Sequence, residues 1–319
     1  MSEPLMVGAV AYTPNVVTIW EGFRDYFAGR PAELDFVLFS NYGRQVDALL
    51  DGTIDIAWNT NLAWVRTTLQ TDGACRALAM RDTDTVFRTL FVSRKGSGLS
   101  DLDSLRGRRL ALGSRDSAQA AILPVQYLRQ GGLDRDVELV RLNSDVGKHG
   151  DTGRSELDAL RMVVDEKADA AAIGINTWEA IGRDELMPGA FEAFWTSPAY
   201  SHCNFTALPR LGDDRATPWV EQLLAMDWDN PAHRPILELE GLKRWVCPNS
   251  TATRPCSRRC GSRRSPHGGR SPTGARPRGA PRRGGRRHHR HGCARRRLRS
   301  RVRRRVVRAN RQRAGRGAR

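Results

Sequence analysis

Residues Glu33 to Trp58 read ELDFVLFSNYGRQVDALLDGTIDIAW, and this stretch decides the fold class. Leu34, Phe36 and Leu38 fall at every second position, the spacing of one face of a strand. Arg44–Leu50 carries a helical pattern that stops at Gly52, and Ile54–Trp58 is a second short apolar strand. Two strands joined by a helix, rather than by a tight turn, pair in parallel.

Reading outward, the alternation continues in both directions. Leu5–Tyr12 is an apolar strand, and Val16–Ala28 a helix with Val16, Ile19, Trp20, Phe23 and Phe27 on one face. Leu62–Gln70 is a helix and Cys75–Met80 a strand. Val86–Ser93 then leaves this unit, and Ser100–Leu105 forms a short helix. A second series follows: strand Arg109–Leu112, helix Ser117–Arg129, strand Val137–Leu142, helix Ser155–Lys167 and strand Ala168–Ile175. Phe191–Trp195 and Phe205–Leu208 are further strands, and Trp219–Met226 and Ile236–Trp245 further helices. The expectation is an α/β chain of two lobes with mainly parallel sheets and a cleft between them. Residues 1–88 and 198–246 form the first lobe and 89–197 the second. Ligands of such sheets sit outside the carboxyl ends of the strands. A single doubly wound domain without a cleft is the alternative.

The formal net charge of +17 hides a division. From Cys247 onward the chain holds 26 Arg and no Lys, Asp or Glu, which leaves 26 basic against 35 acidic residues in 1–246, a net of −9. Every aromatic residue lies in the acidic body. Segment 247–319, rich in Arg, Gly, Ala, Ser and Pro, cannot bury enough surface to offset its ordering entropy and is expected to be disordered. Two origins compete for it. One is a polycationic arm for nucleic acid or anionic lipid. The other is translation in a shifted frame, favoured by GC-rich-codon composition and the lack of Lys. Its Cys and His residues match no zinc-finger spacing. Cys75 and Cys203 read as free thiols. The N-terminus has neither a basic n-region nor a long apolar h-region, which reads as cytoplasmic.

Several segments together resemble one family. The run from Asn41 to Trp58 is similar to the tyrosine–helix–Gly-x-x-Asp-x-Ala segment of phosphonate-type solute-binding proteins of ABC transporters. Ser97–Gly107 resembles their crossing into the second lobe, Leu110–Ser114 and Ser117–Pro124 their anion-binding loop and helix, and Ser155–Asp169 their last second-lobe helix. The resemblance covers residues 5–246. It implies the type-2 periplasmic binding fold and capture of a phosphonate, phosphate, phosphite or similar oxyanion for an ABC importer. It also implies delivery to a transporter permease in the periplasm or outside the cell. Residues 1–246 carry no nucleophile–base pair, paired carboxylates or metal-ligand cluster at motif spacing, so a monomer without turnover, cofactor or metal is expected. A nucleic-acid binder acting through the tail, or an enzyme on the same fold, are the alternatives.

An oxyanion needs fixed hydrogen-bond donors, and a helix start supplies unpaired N–H groups and a positive dipole end. Ser114 and Ser117 precede the second-lobe helix. Relatives carry Ser-Thr-Ser where this chain has Ser117, Ala118 and Gln119, so one hydroxyl is lost and an amide gained. Ser117 also serves as a plain N-cap. Asn59, Thr60 and Asn61 open the helix at Leu62, as ligand contacts or as caps. Tyr12 and Tyr42 lie at carboxyl ends of strands. Phe87 takes the place of a cleft aromatic in the family, with core packing as its bland reading, and Arg88 is an anion partner or a solvated charge. Lys148 and His149 sit in a glycine-rich loop able to act as an anion nest, Glu156 in the following helical turn, and Asn176 with Thr177 after the strand ending at Ile175.

Overall fold

Residues 5–10 and 34–39 form a parallel pair because Leu5, Val7 and Ala9 need cover on one face and a helix supplies it. In the computed structural model, which describes residues 3–12, 15–142, 153–183 and 189–248, the elements in order are β1 (Leu5–Val10), α1 (Asn15–Phe27), β2 (Leu34–Phe39), α2 (Tyr42–Asp51), β3 (Ile56–Asn59), α3 (Asn61–Gln70), β4 (Arg76–Ala77), β5 (Met80–Arg81), β6 (Thr89–Arg94), β7 (Arg109–Leu112), α4 (Leu123–Gln130), β8 (Glu138–Arg141), α5 (Gly153–Val164), β9 (Ala170–Gly174), α6 (Ile175–Arg183), β10 (Phe191–Thr196), β11 (Asn204–Ala207), α7 (Asp213–Leu224), α8 (Arg234–Glu240) and β12 (Trp245–Val246).

Two five-stranded sheets result. The first runs β2-β1-β3-β11-β4, and the second β10-β6-β9-β7-β8. Each has a parallel centre: β1 pairs with β2 and β3, and β7 with β8 and β9. The expectation of mainly parallel sheets is corrected at the strands next to the crossings. β11 runs antiparallel to both β3 and β4, and β6 antiparallel to β9 and β10. These strands enter their sheets from the other lobe, so they arrive from the opposite end. The single strand expected at Cys75–Met80 is two short ones: Arg76 and Ala77 pair with β11, Leu78 and Ala79 stay bonded to Phe205 of that strand, and Met80 and Arg81 pair with β12. Helix α6 starts at Ile175, where a strand end was expected.

The first core joins the apolar face of α1 to β1, β3, β11, α7 and α8. It is rich in aromatic contacts, with Phe27 stacked on Trp219 at 5.7 Å and Phe205 edge-on to Trp219 at 5.0 Å. Apolar clusters cover both faces of the second sheet: α5 and Ile181 on one, Leu105, Leu128 and Leu133 on the other. Asn41 caps α2 and Gly52 ends it at φ +92°.

Two chain segments connect the sheets, and they are bonded to each other. Phe87 and Tyr200 form an antiparallel bridge, Ser197 N donates to Thr89 O at 2.9 Å, and His202 N donates to Asp84 O at 2.9 Å. Segment 249–319, together with residues 1–2, 13–14, 143–152 and 184–188, lies outside the described residues, and so do the expectations that fell on it.

Candidate functional site

The helix expected from Ser117 opens with a wide turn. Ser117 accepts at its carbonyl from both Ala121 N (3.1 Å) and Ile122 N (3.0 Å), and its hydroxyl accepts from Ala120 N at 3.1 Å. Pro124, which has no N–H, then sits in the first turn of α4. Such widened turns occur often at functional sites. Ser117 is 0 % exposed.

Two glycines let neighbouring segments close on this turn. A Cβ on Gly113 would lie 2.7 Å from the Ala120 methyl and 3.0 Å from Ser155 Oγ. A Cβ on Gly174 would lie 3.0 Å from the Phe87 ring and 3.1 Å from Gln119 Cγ. The starts of α4 and α5 therefore converge. Between them, the buried Ser155 Oγ has no hydrogen-bond partner among the described residues.

The Gln119 amide is held at both ends. Its Nε2 donates to Glu156 Oε1 at 2.9 Å, and its Oε1 meets His202 Nε2 at 3.1 Å. Glu156 Oε2 accepts from Gly174 N at 2.7 Å, and Thr89 Oγ1 donates to Gln119 O at 3.0 Å. Gln119 and Glu156 thus tie the second sheet's helix starts to the crossing segment.

His202 leads on to a buried charged cluster. Its ring stacks on Phe87 at 4.2 Å, and its Nδ1 lies 2.9 Å from Cys203 Sγ and 3.3 Å from Asp84 Oδ1. Arg81 grips Asp84 through Nε (2.6 Å) and Nη2 (3.1 Å), donates to Glu240 O at 2.9 Å and lies 3.6 Å from Glu240 Oε1. Burial works against the charge on Asp84, but Arg81 and His202 outweigh it and hold the carboxyl at about 2. Burial also opposes charge on His202, yet the Cys203 sulfur and Asp84 raise it well above the usual imidazole range. Burial keeps Cys203 a thiol, so Asp84 supplies the stabilising charge. Both ring N–H groups then have acceptors. Glu240 goes the other way: burial, with Asp84, pushes its carboxyl up to about 7 against the pull of Arg81. Tyr12, half-buried at the end of β1, is raised first by Glu240 and then by burial.

Asp84, His202 and Cys203 place a metal-binding atom each within 4.8 Å of one another. The guanidinium of Arg81 already occupies the Asp84 carboxylate and would repel a metal cation, so the trio does not fit one.

The remaining expected residues separate into groups. Thr60 caps α3, accepting from Ala63 N at 3.4 Å, and Asn61 is half-buried at its start. Asn59 faces the sheet interior, accepting from Gln45 Nε2 at 2.8 Å and donating to Thr206 Oγ1 at 2.9 Å. Tyr42 is buried against Val10, Val46 and Ala63, and Ser114 is buried ahead of the wide turn. Arg88 is exposed and donates to Ser197 O at 2.8 Å, and Asn176 is an exposed residue of α6. Lys148 and His149 lie outside the described residues. Across the cleft, Arg66 of α3 pairs with Asp116, next to Ser117, at 3.6 Å. The sequence reading missed Arg81, Asp84, His202 and Glu240; Cys203 is the free thiol expected, but its place in this cluster was not foreseen. The adjacent pair His202-Cys203 ahead of a strand was the only local signal for any of them.

Comparison with known proteins adds the following. A family model described as the periplasmic substrate-binding protein of phosphonate ABC transporters matches residues 9–251. A probable ABC transporter phosphite-binding protein, PhnD1 of Prochlorococcus marinus (strain MIT 9301), is 24% identical over 225 residues, covering 67% of this chain and 73% of that protein. The solved structure of PhnD1 in complex with methylphosphonate superposes with a TM-score of 0.59, covering 76% of this chain and 91% of that one. A binding-protein component of an ABC phosphonate transporter from Pseudomonas aeruginosa superposes with a TM-score of 0.56 at 15% identity, covering 76% and 81%.

Proposed function

Because this chain belongs to the periplasmic substrate-binding family of phosphonate ABC transporters, we propose that it captures a small phosphonate, or a related oxyanion such as phosphite or phosphate, between its two sheets. On this reading residues 1–88 and 198–246 act as one lobe and 89–197 as the other, hinged at the paired crossing segments, and the chain hands its ligand to a transporter permease without chemical turnover. The family's description is periplasmic, opposite to the cytoplasmic reading of the N-terminus, and the proposal takes the family's compartment.

One observation carries it. The Ser155 hydroxyl is buried without a partner among the described residues where the starts of α4 and α5 converge. A buried hydroxyl left unsatisfied costs about 1–3 kcal/mol, and a bound oxyanion would recover that. Helix starts provide N–H donors and favourable dipole ends for the same group. The nearby Glu156 is occupied by Gln119 and Gly174, which limits its repulsion of an anion.

Ser155→Ala is the test. Since Ser155 Oγ has no partner among the described residues, its removal should leave the urea midpoint unchanged or slightly higher. Methylphosphonate affinity, measured by calorimetry, should fall by about 10-fold. Ser117→Ala should weaken the same ligand and also cost about 1 kcal/mol of stability as a lost cap. Undiminished methylphosphonate affinity in both variants would overturn the reading.

A further inference from the structure

A cavity of about 370 Å³ opens between the start of α3 and the crossing segment at His202. Trp64, Ala77, Met80 and Pro248 give it apolar walls; Asn61, His202 and Asn204 are polar groups of its lining, with the Ser201 hydroxyl, which serves either polarity, beside them. It adjoins the helix start at Ser117 by two routes. His202 bonds Gln119, two residues beyond Ser117, and Arg66, on the helix that carries Asn61 and Trp64, pairs with Asp116, one residue before it.

The hydrogen-bond polarity of the cavity is set from a distance. Gln45 Nε2 donates to the carbonyl of Trp58 at 2.9 Å, and a carbonyl only accepts, so the Gln45 amide is oriented. The same Nε2 donates to Asn59 Oδ1, which turns Asn59 Nδ2 toward Thr206 Oγ1 at 2.9 Å. The Thr206 hydroxyl must then donate onward, and it does so to Asn204 Oδ1 at 2.8 Å. The chain ends at the cavity with Asn204 Nδ2, a donor with no partner among the described residues, on a side chain whose residue is 6 % exposed. Asn61 likewise has its Oδ1 engaged by Leu62 N at 3.1 Å, which leaves Nδ2. Among the described residues no carboxylate lines the cavity. Asp84 lies behind His202 and is gripped by Arg81.

We propose that this cavity is the subsite for the organic substituent of the phosphonate ligand, and that it takes a substituent bearing a carboxylate, carbonyl or hydroxyl oxygen and rejects an ammonium. The inference rests on the phosphonate reading above and narrows its substrate class. Two amide donors meet an acceptor oxygen, while each asparagine oxygen already accepts one hydrogen bond and no carboxylate among the described residues lines the cavity to balance an ammonium. The volume lies within the range of roughly 300–1,000 Å³ usual for small-ligand pockets, so a bare oxyanion leaves it unfilled.

The test is calorimetric titration of the full chain with phosphite, methylphosphonate, phosphonoacetate and 2-aminoethylphosphonate, the last two being of similar length and opposite terminal charge. Phosphonoacetate should bind about 10-fold or more tighter than 2-aminoethylphosphonate. Asn204→Asp keeps the acceptor for Thr206 and replaces the free donor by a carboxylate, so it should invert that order. If Asn204→Asp fails to fold, Asn61→Asp, at the half-buried mouth, should shift the ratio the same way. Equal affinities for the two, or an order that neither aspartate variant changes, overturns the subsite while leaving the phosphonate reading standing if methylphosphonate binds. Failure of all four ligands to bind removes both.

Discussion

Replacing Glu240 by Gln should make the protein more stable at pH 8, although it removes one partner of a buried arginine. Burial raises the Glu240 carboxyl from 4.5 to about 7, and Asp84 adds to the rise, while Arg81 lowers it only in part. Arg81 spends its best-aligned bonds on Asp84 and on the Glu240 main-chain oxygen, so the Glu240 carboxylate is left with a contact of 3.6 Å. The sign follows from proton binding. Between about 4.5 and 7 the folded chain keeps a proton on Glu240 that the unfolded chain has released. The stability this supplies is complete below about 4.5 and is lost as pH rises through about 7. The span is worth about 3 kcal/mol, the cost of an ionised, poorly solvated carboxylate at pH 8.

Glutamine carries no such cost. The comparison is the urea midpoint of the parent and of Glu240→Gln at pH 5 and at pH 8, at constant ionic strength. At pH 5 the two should lie close together, since the parent residue is then neutral. At pH 8 the variant should lead by about 3 kcal/mol. His202 also loses stability with rising pH, because its raised value means that its contribution is present below the ordinary imidazole value of 6.5 and fades above its folded one. That contribution is common to both proteins and drops out of the difference. A variant that is equal or weaker at pH 8 would show that the Arg81–Glu240 attraction outweighs burial, and the account of this cluster would be wrong.

Two further outcomes follow from the same geometry. Gly174→Ala should destabilise by about 1–3 kcal/mol, because the added methyl meets the Phe87 ring and Gln119 within about 3 Å, and it should weaken methylphosphonate binding as well; urea unfolding and calorimetry read the two effects. The exposed Arg66–Asp116 pair should show a coupling of less than about 1 kcal/mol in a double-mutant cycle on ligand affinity, shrinking as salt is added, and a coupling that survives high salt would contradict a screened surface pair.

The architecture was legible because each lobe repeats a local code. Strand β7 spans Arg109–Leu112 as its apolar run indicates, and Gly52 ends α2 as its left-handed backbone allows. Errors cluster where a segment answers to partners far along the chain or follows its neighbour without a loop. Segment 75–80 reads as one strand, but Leu78 and Ala79 bridge two ladders whose partners, β11 and β12, come from more than 120 residues away. Helix α6 was missed although Ile175, Trp178 and Ile181 keep helical spacing, because it follows β9 without a loop and its first residues extend an apolar run.

The candidate site divides in a similar way. Ser117 and Thr60 were readable, since capping is a local act written in neighbouring residues. The roles of Gln119 and Glu156 were not, because their partners are 83 and 37 residues away from Gln119, at His202 and Glu156. Still less visible was the cluster of Arg81, Asp84, His202 and Glu240, whose members look like ordinary surface charges until the crossing segments and α8 pack together. Their burial beside the crossing segments has a mechanical consequence. An ion cluster desolvated on all sides tolerates little separation of its members, since each parted charge would be left uncompensated. On the hinged reading proposed above, closure bends the crossing segments around the cluster rather than through it. The relay from His202 to Gln119 then moves the second sheet's helix starts as one piece with Phe87 and Gly174. That fixes which surfaces can slide against each other when a ligand enters: the helix start at Ser117 and its neighbour Asp116 against Arg66 and the start of α3, where the pairing is exposed and cheap to break.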